Sequence, residues 1–303
     1  MGALGVAGVM GYYFYVLFPA SQEFDCCTPC IESASPTGRP TPASNMSAHD
    51  FDKSLDGTEA WSGITKLRAK MAGLATGNVL EVAVGTGRNV DYYDWGTLFP
   101  KTPADVLRRK AKRNCQLTSY TAVDISSDML EVANEKLHEA VLLRDQPIPS
   151  IKVIRGDLDT EVAGCLEYAN GAIRLVRSDI QSFVPRPLTA NKYDTVLQTF
   201  GLCSVSSPQS LLANLASVTQ PNSGKIILLE HGKASYHLVN TLLDRSAPQH
   251  FEKYGCWWNR DIEKIVTEAA AQIPGLEVVR IEKPWFQLGT LYWIELRVNS
   301  LVE

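Results

Sequence analysis

The chain has 303 residues, 45% of them hydrophobic and 20% charged, with a formal net charge of −4. That length and apolar share support one large core with appendages. The mildly acidic balance leaves no electrostatic footprint for nucleic acid, so no nucleic-acid partner is expected.

Residues 1–20 carry no charged side chain and are rich in Val, Leu, Phe and Tyr, about the length a helix needs to cross a bilayer. The segment reads as a single-pass transmembrane anchor. A cleaved signal peptide would need a basic stretch ahead of a shorter apolar core, and nothing basic precedes this one. Gly2, Gly5, Gly8 and Gly11 recur every third residue, which is not the GxxxG packing spacing, and Val6 stands where myristoylation requires Ser or Thr. Residues 21–50 turn to Pro, Ser and Thr and read as a linker. Cys26, Cys27 and Cys30 within it have three competing readings: palmitoylation, a redox or disulfide pair, and zinc with His49. Zinc is the weakest, since no second cysteine pair stands nearby, and no metal is expected. The other four cysteines are scattered, as in a reduced compartment.

The third segment, 51–303, reads as one domain. Trp61, Ile64, Leu67 and Met71 give helical spacing across 51–77 and predict an amphipathic helix covering the fold. Val79, Leu80, Val82 and Val84 then form the apolar run of a buried parallel strand, with the acid Glu81 inside it. The run opens into Ala83, Gly85, Thr86 and Gly87, a tight turn that lets backbone approach a nucleotide-like ligand at a helix start. The dinucleotide fingerprint is not met, because Ala83 holds its first position and Val90 its last, which argues against nicotinamide or flavin. A helix is predicted from Asn89 to Trp95. The basic stretch Arg108 to Arg113 reads as a solvated helix face, with anionic lipid contact as the alternative.

A second strand, 120–126, ends in Asp124, placed to accept hydrogen bonds from ribose hydroxyls. Ile125 follows it. Ser126 or Ser127 caps the next helix, where Met129 is positioned to pack on an adenine. The stretch 142–172 breaks the pattern with charge and glycine. Two segments, 151–157 and 173–180, compete for the third strand; the second wins because the fourth, 193–200, follows after a short connection. Asp179 and Ile180 would then flank the adenine, and 151–157 would pair as a local hairpin. Gln198 is a further ligand candidate on the fourth strand. A helix over 210–218, a Pro-Asn-Ser-Gly stop and a fifth strand ending at Glu230 and His231 follow, then two alternating runs near 276–281 and 290–296.

The acid within the strand and the A-x-G-T-G turn resemble motif I of the class I S-adenosylmethionine-dependent methyltransferases, with Ala83 replacing the first glycine. A glycine turn in another α/β protein is the alternative on that stretch alone, but the closing antiparallel pair extends the resemblance to roughly residues 51–298. It implies an α/β, doubly wound, Rossmann-like sheet of seven strands with a C-terminal antiparallel hairpin. S-adenosylmethionine would be the cofactor, bound through Glu81, Ala83, Gly85, Thr86, Gly87, Asp124, Ile125, Met129, Asp179, Ile180 and Gln198. The runs Leu202-Cys203-Ser204-Val205, Glu230-His231-Gly232 and Gly255-Cys256 before Asn259-Arg260 are similar to the membrane-anchored methyltransferase-like families, both the fungal mitochondrial inner-membrane type and the animal thiol-methylating type of the endoplasmic reticulum. Either membrane is a possible address.

Methyl transfer from a sulfonium needs little acid or base help beyond in-line geometry. His231, at the carboxyl end of the fifth strand, is the candidate catalytic base for a hydroxyl or carbon acid; satisfying loop hydrogen bonds is the alternative, and His237 and His250 are weaker candidates. Gly255-Cys256-Trp257-Trp258 reads as a loop lining the acceptor pocket, or as aromatic core. The expected partner is a small-molecule or lipid-like acceptor, a thiol, quinone or lipid. Two other readings stay open: a membrane scaffolding factor that keeps the fold, and a protein methyltransferase, although Gln198-Thr199-Phe200-Gly201 stands where amide methylation would place N-P-P-Y.

Overall fold

The computed structural model describes residues 46–98, 116–141 and 164–300. The expected anchor at 1–20, the cysteines of the linker, the basic stretch at 108–113 and the segment 151–157 lie outside those residues. Among the described residues no helix is long and apolar enough to cross a membrane.

Two helices come first, α1 (Ala48–Ser62) and α2 (Ile64–Gly73), where the sequence predicted one. Gly63 takes φ 76° between them, a left-handed conformation that ends α1. The apolar periodicity runs through this break because Ile64 and Met71 of α2 pack into the core that lies beneath both helices. Strand β1 (Gly77–Val82) follows. The helix expected from Asn89 is replaced by two 3-10 turns, Val90–Tyr92 and Trp95–Thr97. Here the Trp95 indole N–H donates to the Val90 carbonyl at 2.9 Å, and the Asn89 side chain is drawn inward to Glu81, so the chain cannot wind outward as an α-helix.

Then come β2 (Leu117–Asp124), α3 (Ser127–Val141), β3 (Gly164–Tyr168), β4 (Ile173–Arg177), β5 (Thr195–Thr199), α4 (Pro208–Val218), β6 (Lys225–His231), α5 (His237–Tyr254), α6 (Ile262–Gln272), β7 (Leu276–Glu282) and β8 (Leu291–Val298). They form one sheet in the order β3-β4-β2-β1-β5-β6-β8-β7. The five strands β4, β2, β1, β5 and β6 pair in parallel, and β8 inserts antiparallel between β6 and β7. The seven strands expected from the sequence are therefore present, with an eighth strand at one edge. That strand is β3, which pairs antiparallel with β4. It lies within the stretch the sequence left without a clean element, because its Gly and Glu residues mask a run in which only Cys165 and Tyr168 are buried.

Alternation along the strands splits the core into two layers. Val79, Tyr120, Leu197, Leu229 and Trp293 face α2 and α3; Leu80, Val82, Val196, Leu228 and Ile294 face α4 and α6. Each fully buried aliphatic side chain of this kind stabilises the fold by roughly 1.5–3 kcal/mol relative to exposure.

Candidate active site

A cavity of about 850 Å³ opens over the carboxyl ends of β1, β2, β5 and β6, under α1 and beside α5. Ligands of doubly wound sheets bind at this end, and the volume lies in the range of small-molecule sites. One end is built by the turn after β1. Ala83 adopts φ 51° and Gly85 φ 56°, so the position where the motif usually carries glycine does require the left-handed backbone, and Ala83 bears it with strain. A Cβ built on Gly85 would meet no atom within 4 Å, so its missing side chain leaves open space toward the cavity. Gly87 serves packing instead, since a Cβ there would lie 3.0 Å from Ala133 Cα.

Asp124, at the end of β2, accepts from the Gly85 backbone N–H at 2.8 Å through one oxygen and from the Ser126 N–H at 3.0 Å through the other. Its carboxylate thus ties the glycine turn to the start of α3, where Met129 lines the same cavity. Glu81 is fully enclosed. Asn89 donates to its Oε1 at 2.9 Å, and the Tyr93 and Tyr120 hydroxyls donate to its Oε2 at 2.5 and 2.8 Å. Burial raises its pKa above the ordinary 4.5 despite these three donors.

Ala83, Gly85, Thr86, Asp124, Met129, Glu81 and His231 line the cavity; Gly87, Ile125, Asp179, Ile180 and Gln198 do not. Ile125 is half exposed and Ile180 is buried in the α4 layer. Asp179 accepts from the Gln181 backbone and side chain, at 2.9 and 3.3 Å. Gln198 follows Leu197 in the alternation, so it faces away from the cavity; its neighbour Thr199 faces in and accepts from Asn89. Counting the period of two from Val196 would have found this.

Sequence reasoning missed the roof of the cavity. Asp52, Asp56 and Glu59 sit on one face of α1, and all three bind Arg88 of the glycine turn, at 2.8, 3.0 and 3.0 Å. Glu59 also holds Arg68 of α2 at 2.7 Å, and Lys136 of α3 reaches Asp52 at 2.7 Å. Thr86 donates to Asp52 at 2.6 Å. Burial opposes the charge on Glu59, but the two guanidiniums overcome it and hold its pKa below 4.5; the same contest, won by Lys136, Thr86 and Arg88, lowers that of Asp52. The signal was the spacing of the acids at 52, 56 and 59, one helical face.

The other end is apolar and aromatic. His231 stacks on Phe200 with centroids 4.0 Å apart, and His250 stacks on Trp258 at 3.8 Å. His237 is exposed at the start of α5. Cys256 lines the cavity, 2.7 Å from Cys203 Sγ and 3.9 Å from His231 Nδ1, while Trp257 turns away and stacks on Phe251. The predicted pocket loop and the predicted aromatic core are thus both present, one residue apart. Burial pushes the Cys203 thiol up; the Cys256 thiol is buried too, but contacts from Cys203, His231 and His250 bring it down.

Glu230 fixes this floor. It is fully buried and accepts from the backbone N–H groups of Gly201 and Leu202 at 3.0 Å and of Cys203 at 3.3 Å, holding the turn that follows Phe200. Phe200 itself sits at φ 58°. Burial pushes Glu230 up to about 8, against the pull of those three donors. Between pH 4.5 and 8 the folded state therefore retains a proton that the unfolded state has lost, and stability falls as pH rises, by up to about 1.4 kcal/mol per pH unit. Denaturant unfolding across that window should show this slope in the wild type and a shallower one in Glu230→Gln. Equal slopes would mean that Glu230 stays ionised throughout.

The family described as Methyltransferase domain matches residues 103–228. The Saccharomyces cerevisiae protein Methyltransferase OMS1, mitochondrial, is 28% identical over 247 residues, covering 82% of this chain and 44% of that protein, so the chain spans less than half the length of this curated relative. An O-methyltransferase family protein from Burkholderia thailandensis superposes with a TM-score of 0.51 at 14% identity, over 84% of this chain and 60% of that one. A putative methyltransferase solved with its Haloferax volcanii Trm112 activator gives 0.50 at 12% identity, over 84% and 96%. These two likenesses concern the fold. Sheet order, glycine turn and family match together liken this chain to the class I S-adenosylmethionine-dependent methyltransferases and, over most of its own length, to the yeast mitochondrial protein.

Proposed function

We propose that the chain transfers the methyl group of S-adenosylmethionine to a small apolar acceptor, and that it does so at a membrane. The observation that carries this reading is a single cavity with two chemically distinct ends, a polar glycine turn closed by Asp124 and an apolar chamber built from Phe200, His231, His250 and Trp258. The residues fit the cofactor: open space at Gly85 admits it, and Asp124 suits the ribose hydroxyls. Met129 suits the adenine. When bound, S-adenosylmethionine supplies an electrophilic methyl group.

The chain's own contribution is then to hold an acceptor in line and to exclude water. The roof formed by α1 and the stacked aromatic pairs serve that end. His231 is the group placed to take a proton from a hydroxyl or carbon acid; a thiolate acceptor would not need it. The apolar chamber favours a thiol, quinone or lipid-like acceptor over a charged one. An anchor at 1–20 and a linker at 21–50 would bring such a compound to the domain. The yeast relative's name supports a mitochondrial address over the endoplasmic reticulum.

The test is calorimetric titration of the full chain in detergent with S-adenosylhomocysteine, followed by methyl-labelled S-adenosylmethionine with panels of apolar thiols and quinones. Binding together with label transfer to one panel supports the reading, and His231→Ala should abolish transfer to hydroxyls while sparing thiols. A folded wild type that binds no cofactor would sink the enzyme and leave a scaffold.

A further inference from the structure

Four large apolar side chains stand exposed on segments that adjoin the cavity or contact its lining: Trp285 at 82%, Leu238 at 69%, Tyr236 at 61% and Trp61 at 52%. They come from three separate elements, and the loop from Trp285 to Gly289 brings these together. At one end of the loop a Cβ placed on Gly63 would lie 3.3 Å from the Phe286 ring, and Gln287 Nε2 donates to the Ser62 carbonyl at 2.6 Å, next to Trp61. At the other end a Cβ placed on Gly289 would lie 3.2 Å from Ser235 Oγ, next to Tyr236. Ser62, Gln287, Thr290 and Leu291 of these same segments line the cavity. The exposed rim and the apolar chamber are therefore continuous.

We infer that this rim is a bilayer-docking surface, which sets the cavity mouth at the membrane interface so that an apolar acceptor enters from the lipid. The inference rests on the proposed apolar acceptor and specifies how it arrives. Trp and Tyr are the residues whose amphipathic rings settle at the interface between lipid and water, and Leu238 supplies the purely apolar contact. The occupant is a bilayer, because two Trp and one Tyr, the side chains that favour a lipid–water interface, stand exposed on segments adjoining the cavity, in a chain that also carries an uncharged segment of spanning length. Residues 1–20 are uncharged and of spanning length, and 27 residues, 21–47, separate them from α1, enough chain for the domain to lie on the surface.

Charge near the rim is balanced. A neighbouring pocket mixes Lys233, Lys264 and Lys283 with Asp261, Glu263 and Glu268, and Lys283 is paired to Glu263 at 2.8 Å. Docking is accordingly driven by apolar insertion and works on neutral phosphatidylcholine, with little dependence on salt.

The sequence supplies a clean reporter, since none of its six tryptophans lies in residues 1–20 and the first is Trp61. The full chain is reconstituted into phosphatidylcholine vesicles with plain or brominated acyl chains, and tryptophan emission is compared. Quenching by brominated chains in the wild type, mostly lost in the Trp61→Phe, Trp285→Phe double variant and unchanged by raised salt, is the expected result. Equal emission from the two vesicle types overturns the inference, as does quenching that survives in the Trp61→Phe, Trp285→Phe double variant. A stable dimer that Trp285→Phe dissociates would also overturn it, in favour of a second copy on the rim. S-adenosylhomocysteine titration of both proteins separates the two readings: a wild type that is quenched but binds no cofactor retains the docking surface and loses the methyltransferase.

Discussion

Asp124→Ala is expected to weaken S-adenosylhomocysteine binding at least about 100-fold. Hydrogen bonds to a charged group contribute roughly 1.5–3 kcal/mol each, and every 1.4 kcal/mol is a factor of ten in affinity, so two ribose contacts to one carboxylate account for that loss. The same carboxylate accepts from Gly85 and Ser126, so its removal also frees the glycine turn that lines the cavity. Asp124→Asn keeps one acceptor oxygen and should fall between the wild type and the alanine variant. The measurement is calorimetric titration, with an unfolding midpoint taken alongside; full affinity in a folded Asp124→Ala protein would remove Asp124 from the cofactor site.

The second large effect is on stability. Glu59→Ala should cost about 3–5 kcal/mol in denaturant unfolding, because it leaves the Arg68 guanidinium buried with the Asn89 side chain as a hydrogen-bond partner and the Phe200 ring 5.6 Å away. Arg88 keeps Asp52 and Asp56, so the loss concentrates on Arg68. The pH dependence has a definite sign. The folded values of Glu59 and Asp52 lie below their ordinary 4.5 and 3.8, so their contribution is complete above pH 4.5 and is lost as acid takes the pH down through the folded values. Glu59→Ala should flatten that acid limb. A loss below about 1 kcal/mol would show that Arg68 reaches water once its partner is gone.

The sheet was legible because buried parallel strands write themselves as apolar runs, and β1, β2, β4, β5 and β6 all do so. Strand β3 was not, since an edge strand with one covered face needs only Cys165 and Tyr168 to be buried and leaves little trace. The glycine turn and Asp124 could be read directly, as they sit where strand meets helix. Residues of the site that depend on three-dimensional closure were harder. The roof joins carboxylates near 55 to Arg88 and Lys136 across three elements, and only the acidic spacing hinted at it. Gln198 lies one residue from Thr199, which lines the cavity, and in a strand one residue is a change of face.

The position of β8 has a bearing on how the protein is made. Its backbone pairs with β6 from Lys225 to His231 on one side and with β7 on the other, so β6 has no outer neighbour until residue 298 has left the ribosome. Until then the backbone of β6 offers an open edge to other chains, and the sheet closes only when the last strand is in place.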